Sequence, residues 1–317
     1  MPELPEVETV RRGLQELIVG KSVAKVDFDW PKGFPNSPAD ISEFLIGSKV
    51  LAVRRRAKVL LIDLASDYTL VTHLKMTGQL VFVGKKTIGD KSSTDITQPN
   101  TRYKLPSTSD EVRYGAGHPN DSLIGKLPDK STRVTITFSD NSKLFFNDQR
   151  KFGWMKLFAS LEVPEIDFMK KVGPEPLEDS FTAKDFISRI RRRNGTVVKA
   201  AILDQTVLAG VGNIYADESL WGAKIHPATR VRDVSDSQLK KLLSEIKAVM
   251  TLAIQKGGST DRNYISAEGK RGSYIDFARV FRREGQPCQR HPDVMIDKIR
   301  VAGRGTHVCV VCQPSVV

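Results

Sequence analysis

The hydrophobic periodicity of the chain changes near residue 165, and that change sets the architecture. Before it, β-branched runs recur in "SKVLAVRR", "KVLLIDLA", "YTLVTHL" and "QLVFVG", then resume in "TRVTITFSDNSKLFF" and "GWMKLF". Short runs of this kind, separated by turn residues, predict antiparallel strands. Asp140-Asn141 marks the turn of one hairpin. A helix is expected ahead of them over 5–19, where Val7, Val10, Leu14 and Leu17 share a face, Pro5 suits the first turn and Gly20 the end. From Asp167 onward the pattern is helical. Thr182 can cap "AKDFISRIRRR", "VVKAAIL" and "NIYADESLWG" are short helices, and Ser235 can cap a long helix ending at Gly257-Gly258. The last forty residues return to short strands. The expected class is α+β and multidomain, with a β-sandwich behind a leading helix, a helical domain and a small C-terminal hairpin. Lys85 to Ser131 has no sustained period and is rich in Ser, Thr, Asp, Asn, Pro and Gly, so it reads as a partly disordered insertion.

Charge narrows the partners. Lys and Arg number 49 against 37 Asp and Glu, a formal net charge of +12. A chain this basic is expected to meet a polyanion, nucleic acid first and a membrane surface second. No apolar run reaches the roughly 18–20 residues of a membrane span, and no signal peptide is visible. A reducing cytosol is the expected compartment. The cysteines agree, because the chain has only three, Cys288, Cys309 and Cys312, all near its end. Scattered disulfides would not cluster so; a metal site would. The pattern is Cys288-x2-His291, seventeen residues, then Cys309-x2-Cys312. Two short-spaced ligand pairs flanking a hairpin predict one structural Zn2+ held by Cys288, His291, Cys309 and Cys312. His307 is the rival fourth ligand, disfavoured because the two-residue gap at His291 mirrors that of the other pair.

The first ten residues, "MPELPEVETV", put Glu3, Glu6 and Glu8 at the head of a basic chain. Removal of Met1 would leave Pro2 a secondary amine. An α-amino group has a pKa of about 7.7–8.0, so it is partly unprotonated near neutrality and nucleophilic. Glu3 beside it could move protons, and Glu6 lies where the helix dipole favours a carboxylate. An acidic first turn without chemistry is the plainer reading of the same decapeptide.

The longer pattern decides between them. "PELPEVETV", "RRRAKVLL", "HLKMTGQL", "NDQRKFGW", "VKAAILDQTVLAGVGNIYADESL", "GGSTDRNYISAEGKRGSY" and "RREGQPC…RGTHVCVVCQ" follow in order. Together they resemble the Fpg/MutM formamidopyrimidine-DNA glycosylases of the Fpg/Nei family, over nearly the whole chain outside the insertion. The resemblance implies a bifunctional DNA glycosylase and AP lyase of base excision repair that excises oxidised purines, 8-oxoguanine and formamidopyrimidines, with β,δ-elimination through a proline iminium. It implies Pro2 as nucleophile, Glu3 as the essential acid, Glu6 as a supporting carboxylate, and Lys58 and Arg304 as grips on phosphates at the lesion. Met76, Arg150 and Phe152 match the set that fills the void left by a flipped base, and Lys199 and Asn213 match residues near the lesion phosphates. Read without that context, "RRRAK" is a charged strand on which alternation puts Arg54, Arg56 and Lys58 on one face, Met76 and Phe152 are core packing, and Gly210 to Asn213 is a turn between helices.

The implied domains are a catalytic β-sandwich over 1–165, a helix–two-turn–helix domain over 166–280 with a lesion-capping loop at 259–274, and a zinc finger over 281–317. The family normally ligates zinc with four cysteines, so His291 is a departure. The capping loop departs from the commonest form after Thr260, which leaves base specificity open to a Nei-like preference for oxidised pyrimidines; a non-catalytic damaged-DNA-binding protein is the other alternative, and the presence of both Pro2 and Glu3 favours the enzyme over it. The expected partner is double-stranded DNA containing oxidised bases or abasic sites, met by a monomer in the bacterial cytoplasm, at the nucleoid.

Overall fold

The computed structural model describes residues 2–85, 102–103, 111–116, 122, 125–259 and 274–315. The chain divides into two compact units, one formed by Met1–Met169 with Ile254–Ser273, the other by Lys170–Ala253 with Tyr274–Val317.

The first unit opens with helix α1 (Leu4–Ile18), capped at Glu3 and with Pro5 in its first turn. Val7, Val10, Leu14 and Ile18 are all at most 1 % exposed. Each is worth about 2 kcal/mol of transfer free energy as an upper estimate. Their sum far exceeds the roughly 1 kcal/mol of a good cap, so packing holds this helix. Strand β1 (Val23–Phe28) and a one-turn helix α2 (Pro38–Asp40) follow. Next come β2 (Val50–Arg56), β3 (Val59–Leu64), β4 (Tyr68–His73) and β5 (Gly78–Lys85). The short β6 (Arg102–Tyr103) and then β7 (Glu111–Ala116) precede β8 (Thr132–Phe138), β9 (Lys143–Asp148) and β10 (Trp154–Ala159).

The strands form two antiparallel sheets, one ordered β1-β8-β9-β5-β7-β6 and one β10-β4-β3-β2. One hydrophobic core joins α1 to residues of both sheets, among them Leu60, Ile62 and Leu70 on one and Leu80, Phe82, Ile136 and Phe146 on the other. The β-sandwich with a leading helix is therefore present, and the β8–β9 hairpin turns at Asn141 with φ +64°.

Two details differ from the sequence reading. Glu111–Ala116, inside the supposed insertion, is a strand that pairs with β5 from Leu80↔Ala116 to Lys85↔Glu111. Its sequence, "EVRYGA", has too few apolar residues to show a period; tertiary pairing and the burial of Tyr114 make it a strand. The second detail is "RRRAK". The strand ends at Arg56, and Ala57-Lys58 form the two-residue turn to Val59, with Ala57 at φ +52°. Alternation therefore does not carry Lys58 onto a face with Arg54 and Arg56.

The helices that follow begin with α3 (Asp167–Lys171), at the boundary of the two units, and continue with α4 (Ala183–Ile190), α5 (Val198–Leu203), α6 (Asn213–Ala223) and α7 (Asp236–Gln255). Both expected caps form. The Thr182 and Asp185 side chains exchange bonds with each other's amides, and Gln238 N donates to Ser235 Oγ at 3.2 Å. Strands β11 (Asp297–Val301) and β12 (Arg304–Val308) make the terminal hairpin of the second unit. No helix among the described residues is long and apolar enough to cross a membrane.

Candidate active site and metal centre

In the first unit, Pro2 and Glu3 are buried at the head of α1. The Glu6 carboxylate holds this end from two sides. Its Oε2 accepts the Glu3 amide at 2.8 Å, and its Oε1 accepts the Ser259 amide at 2.6 Å and the Ser259 hydroxyl at 2.8 Å. Gly258, at φ +88°, lets the chain pass this close; a Cβ there would lie 2.9 Å from Glu6 Oε1. Glu8 does different work. It binds Arg11, Arg12 and Arg55, and although burial pushes its carboxyl up, these bonds, Arg11's above all, hold it below the usual range. Of the three acidic residues, Glu8 is thus a structural ion-pair centre.

Lys58 is 6 % exposed, and its charge reaches His73. His73 closes β4, and its Nδ1 accepts the Lys75 amide at 3.0 Å. Burial first, then the charges of Lys75 and Lys58, push the His73 imidazole down to about 3. Met76 follows in the β4–β5 turn, half exposed.

Arg150 and Phe152 lie in the turn after β9, with the Arg150 guanidinium 4.9 Å from the Phe152 ring centre and Phe152 52 % exposed. Asp148, fully buried, ties the two turns together. It accepts the Thr77 hydroxyl on one side and the amides of Arg150, Phe152 and Gly153 on the other, at 3.2, 2.8 and 2.6 Å. So Met76 and the pair Arg150 and Phe152, distant from it in sequence, stand on two turns joined by one carboxylate. Two exposed apolar side chains beside an arginine are poor core residues and suitable wedges for a base stack. Asp148 was missed in the sequence, although it sits two residues before Arg150.

In the second unit, α5 and α6 are joined by a turn that Gln205 organises. Its Nε2 donates to Leu203 O and Val211 O, and its Oε1 accepts Gly210 N. Asn213 opens α6 and donates through Nδ2 to Gly305 O at 3.1 Å. Arg304 is exposed at the start of β12, just past the hairpin turn at Ala302-Gly303.

Lys199 is the residue that the resemblance puts near the lesion phosphates. Its side chain is fully buried, and its ammonium bonds Asp217 at 2.6 Å, Thr306 Oγ1 at 2.7 Å and Gly305 O at 3.3 Å. It is a strut under the hairpin that bears Arg304, without a face to solvent. Asp217 continues the strut by accepting the His307 amide at 2.9 Å and lying 3.1 Å from His307 Nδ1. The adjacent Glu218, also buried, accepts the amides of Arg279, Val280 and Phe281 and the Tyr274 hydroxyl. Neither carboxylate was foreseen, because a buried Asp-Glu pair inside a helix has no periodic signature.

The donor atoms of Cys288, His291, Cys309 and Cys312 all lie within 4.8 Å of one another. His291 Nδ1 is 3.2 Å from the Cys312 sulfur and 3.8 Å from that of Cys309. Burial, then the Cys309 and Cys288 sulfurs, push the Cys312 thiol up to about 12, whereas at Cys288 burial is outweighed by hydrogen bonds with the Arg290 amide, then Cys309 and the His291 amide, which bring it down to about 6. Thiols this close resist ionising together unless a cation sits among them, and the donor set suits a closed metal site. His307 is outside the cluster, with its two ring nitrogens near Asp217 and Glu284.

Residues 1–155 match the formamidopyrimidine-DNA glycosylase N-terminal domain, and residues 172–264 match the formamidopyrimidine-DNA glycosylase H2TH domain. The chain belongs to the formamidopyrimidine-DNA glycosylase family. It is 37 % identical to the formamidopyrimidine-DNA glycosylase of Listeria innocua over 314 residues, covering 99 % of this chain and all of the relative. The protein of that name from Herpetosiphon aurantiacus is 38 % identical over 315 residues, with the same coverage. Among solved structures, the complex of Lactococcus lactis Fpg with abasic-site DNA aligns at TM-score 0.78 and 32 % identity, over 99 % of this chain and 100 % of that one. The same protein bound to N7-benzyl-Fapy-dG DNA aligns equally well. Family membership gives the buried head of α1 and the Cys/His cluster a common context.

Proposed function

We propose that the chain is a bifunctional DNA glycosylase and AP lyase of base excision repair, acting on duplex DNA with oxidised purines or abasic sites. The observation that carries this reading is Pro2-Glu3 buried at the head of α1 in a chain that matches the glycosylase family along its length. Once Met1 is removed, the Pro2 amine attacks C1′ of the lesion nucleotide, and the damaged base leaves with the electrons of the glycosidic bond. Glu3 supplies a proton to the ring oxygen as the sugar opens and the nitrogen becomes an iminium. That electron sink acidifies the neighbouring carbon, so the 3′ and then the 5′ phosphate can be eliminated to leave a one-nucleotide gap.

Labour is divided among three segments. The 1–165 sandwich holds Pro2, Glu3, Lys58 and the Met76, Arg150 and Phe152 wedge. The 166–280 segment brings Asn213 at a helix N-terminus, where amides favour phosphate, and the 259–274 segment is read as the loop that caps the flipped base; residues 260–273 lie outside the described residues. The 281–317 segment presents Arg304 from a zinc-held hairpin. Zinc is the metal assigned to Cys288, His291, Cys309 and Cys312, since three thiolates and an imidazole suit its soft, tetrahedral coordination. Its contribution is structural. The bacterial cytoplasm, at the nucleoid, is the compartment proposed.

The test is product analysis on a duplex with one 8-oxoguanine opposite cytosine. Free 8-oxoguanine with a gap bearing phosphates at both ends is expected, and Glu3→Gln should lose base release while nicking a preformed abasic site better. Release of oxidised pyrimidines but not of 8-oxoguanine would give the specificity to the Nei kind. No release of either would leave only a damaged-DNA-binding protein.

A further inference from the structure

We propose that β7 is a positioning element for the reaction, acting through Tyr114, which locks the helix that bears Pro2 and Glu3; this rests on the glycosylase reading above. Tyr114 is 4 % exposed, and its hydroxyl donates to the Thr9 carbonyl of α1 at 2.6 Å. That carbonyl is the one the helix ladder assigns to Gly13. A Cβ added at Gly13 would lie 2.0 Å from Cζ and 2.4 Å from the hydroxyl of Tyr114, so the missing side chain of the helix and the ring of the strand are a matched pair. β7 is itself fixed. It pairs with β5 along six residues, Tyr114 opposite Phe82, and the buried Arg113 donates to Ser122 O at 2.8 Å.

The brace has a direction. β5 begins at Gly78, directly after the turn that presents Met76, so one strand registers the wedge turn and, through β7, the catalytic helix. On its other flank α1 is tied to β2, where Val53 N donates to Gln15 at 2.8 Å and Arg55 pairs with Glu8 at 3.1 Å. The Tyr114 contact adds to the apolar packing of the helix, and apolar packing resists sliding and rotation weakly because it is non-directional. Buried polar contacts with fixed geometry do resist it. A small shift of α1 moves Pro2 and Glu3 together relative to the sugar, and misplacement of catalytic groups is costly.

The test uses the full chain under single turnover on a duplex carrying a preformed abasic site, with affinity measured on a tetrahydrofuran duplex. Gly13→Ala places a methyl group against the ring. It should slow strand cleavage by on the order of tenfold or more while changing affinity less than about threefold. Alanine is the better helix former, so helix weakening cannot account for that loss. Tyr114→Phe keeps the ring and removes the hydrogen bond, with an expected loss of about fivefold. Gly13→Ala combined with Tyr114→Ala gives the methyl group room and should recover most of the rate lost by Gly13→Ala alone. Wild-type rates in both folded single variants would overturn the proposal, as would a loss that the double variant does not relieve. So would rates and affinities that fall in parallel. Should Gly13→Ala fail to fold, Tyr114→Phe alone decides. An unsubstituted chain that cleaves nothing would refute the glycosylase reading itself.

Discussion

Glu6 and Ser259 are 253 positions apart in sequence, yet one carboxylate oxygen of Glu6 accepts both the amide and the hydroxyl of Ser259. The other oxygen accepts the amide of Glu3. A single buried carboxylate therefore ties Ser259 to the residue proposed to protonate the sugar.

Glu6→Gln should break this arrangement while keeping its shape. An amide has one acceptor oxygen and turns two donors toward amides that also donate. Losing a charge-assisted bond and leaving a buried donor unpaired costs about 1.5–3 kcal/mol. Thermal unfolding should show that loss, and 8-oxoguanine release should slow more than nicking of a preformed abasic site, where no base has to be held. Equal slowing in both assays would put Glu6 in the lyase step instead.

Arg304 and Lys199 should part company in a salt titration. Arg304 is exposed at the hairpin tip, and if it neutralises one phosphate, Arg304→Ala should flatten the slope of log K against log salt by about one unit. Lys199 has no exposed surface, so Lys199→Met should leave the slope unchanged and act through stability, because it strands the buried Asp217. A flattened slope in Lys199→Met would return that lysine to the DNA contacts.

Much of this was legible in the sequence, and the parts that were not share a physical reason. The leading helix, the hairpin at Asn141 and the caps at Thr182 and Ser235 depend on local pattern, and they formed where local pattern put them. The ligand pairs at Cys288 and Cys309 were visible for the same reason. β7 was hidden because its strand character comes from pairing with β5 and from Tyr114 meeting a glycine a hundred residues away. Asp148, Asp217 and Glu218 were hidden because their partners are amides and side chains scattered along the chain. A motif match identified Lys199 as important, but only the fold showed which partners occupy its three donors.

The metal prediction discriminates between two histidines. His291→Cys should keep one zinc per chain and near-normal activity, since it completes a four-thiolate set. His291→Ala should lose metal affinity and DNA binding together, because a hairpin this small depends on its metal for folding free energy, on the order of 10 kcal/mol in peptide systems. His307→Ala should keep the zinc, as its ring is engaged by Asp217 and Glu284. Zinc retained by His291→Ala and lost by His307→Ala would exchange the two roles.

His73 gives stability a pH dependence of known sign. Its imidazole titrates near 3 in the folded chain against about 6.5 unfolded, so the unfolded state binds more protons between those values. Stability should therefore rise with pH across that window and fall on acidification from 6.5 toward 3. Replacing His73 with Asn removes the group, and thermal melts at pH 7 and pH 5 should then differ less than in the unsubstituted chain. An undiminished difference would assign the acid sensitivity to other groups.

The central claim is that the α-amine of Pro2 is the nucleophile, and borohydride reduction on a duplex with one 8-oxoguanine tests it most directly. The reduced covalent complex, digested and sequenced by mass spectrometry, should hold the sugar remnant on Pro2, and Pro2→Gly or a blocked N-terminus should abolish trapping while DNA binding persists. A crosslink of undiminished yield in the blocked protein, or a sugar remnant mapped to Lys58, would contradict the account.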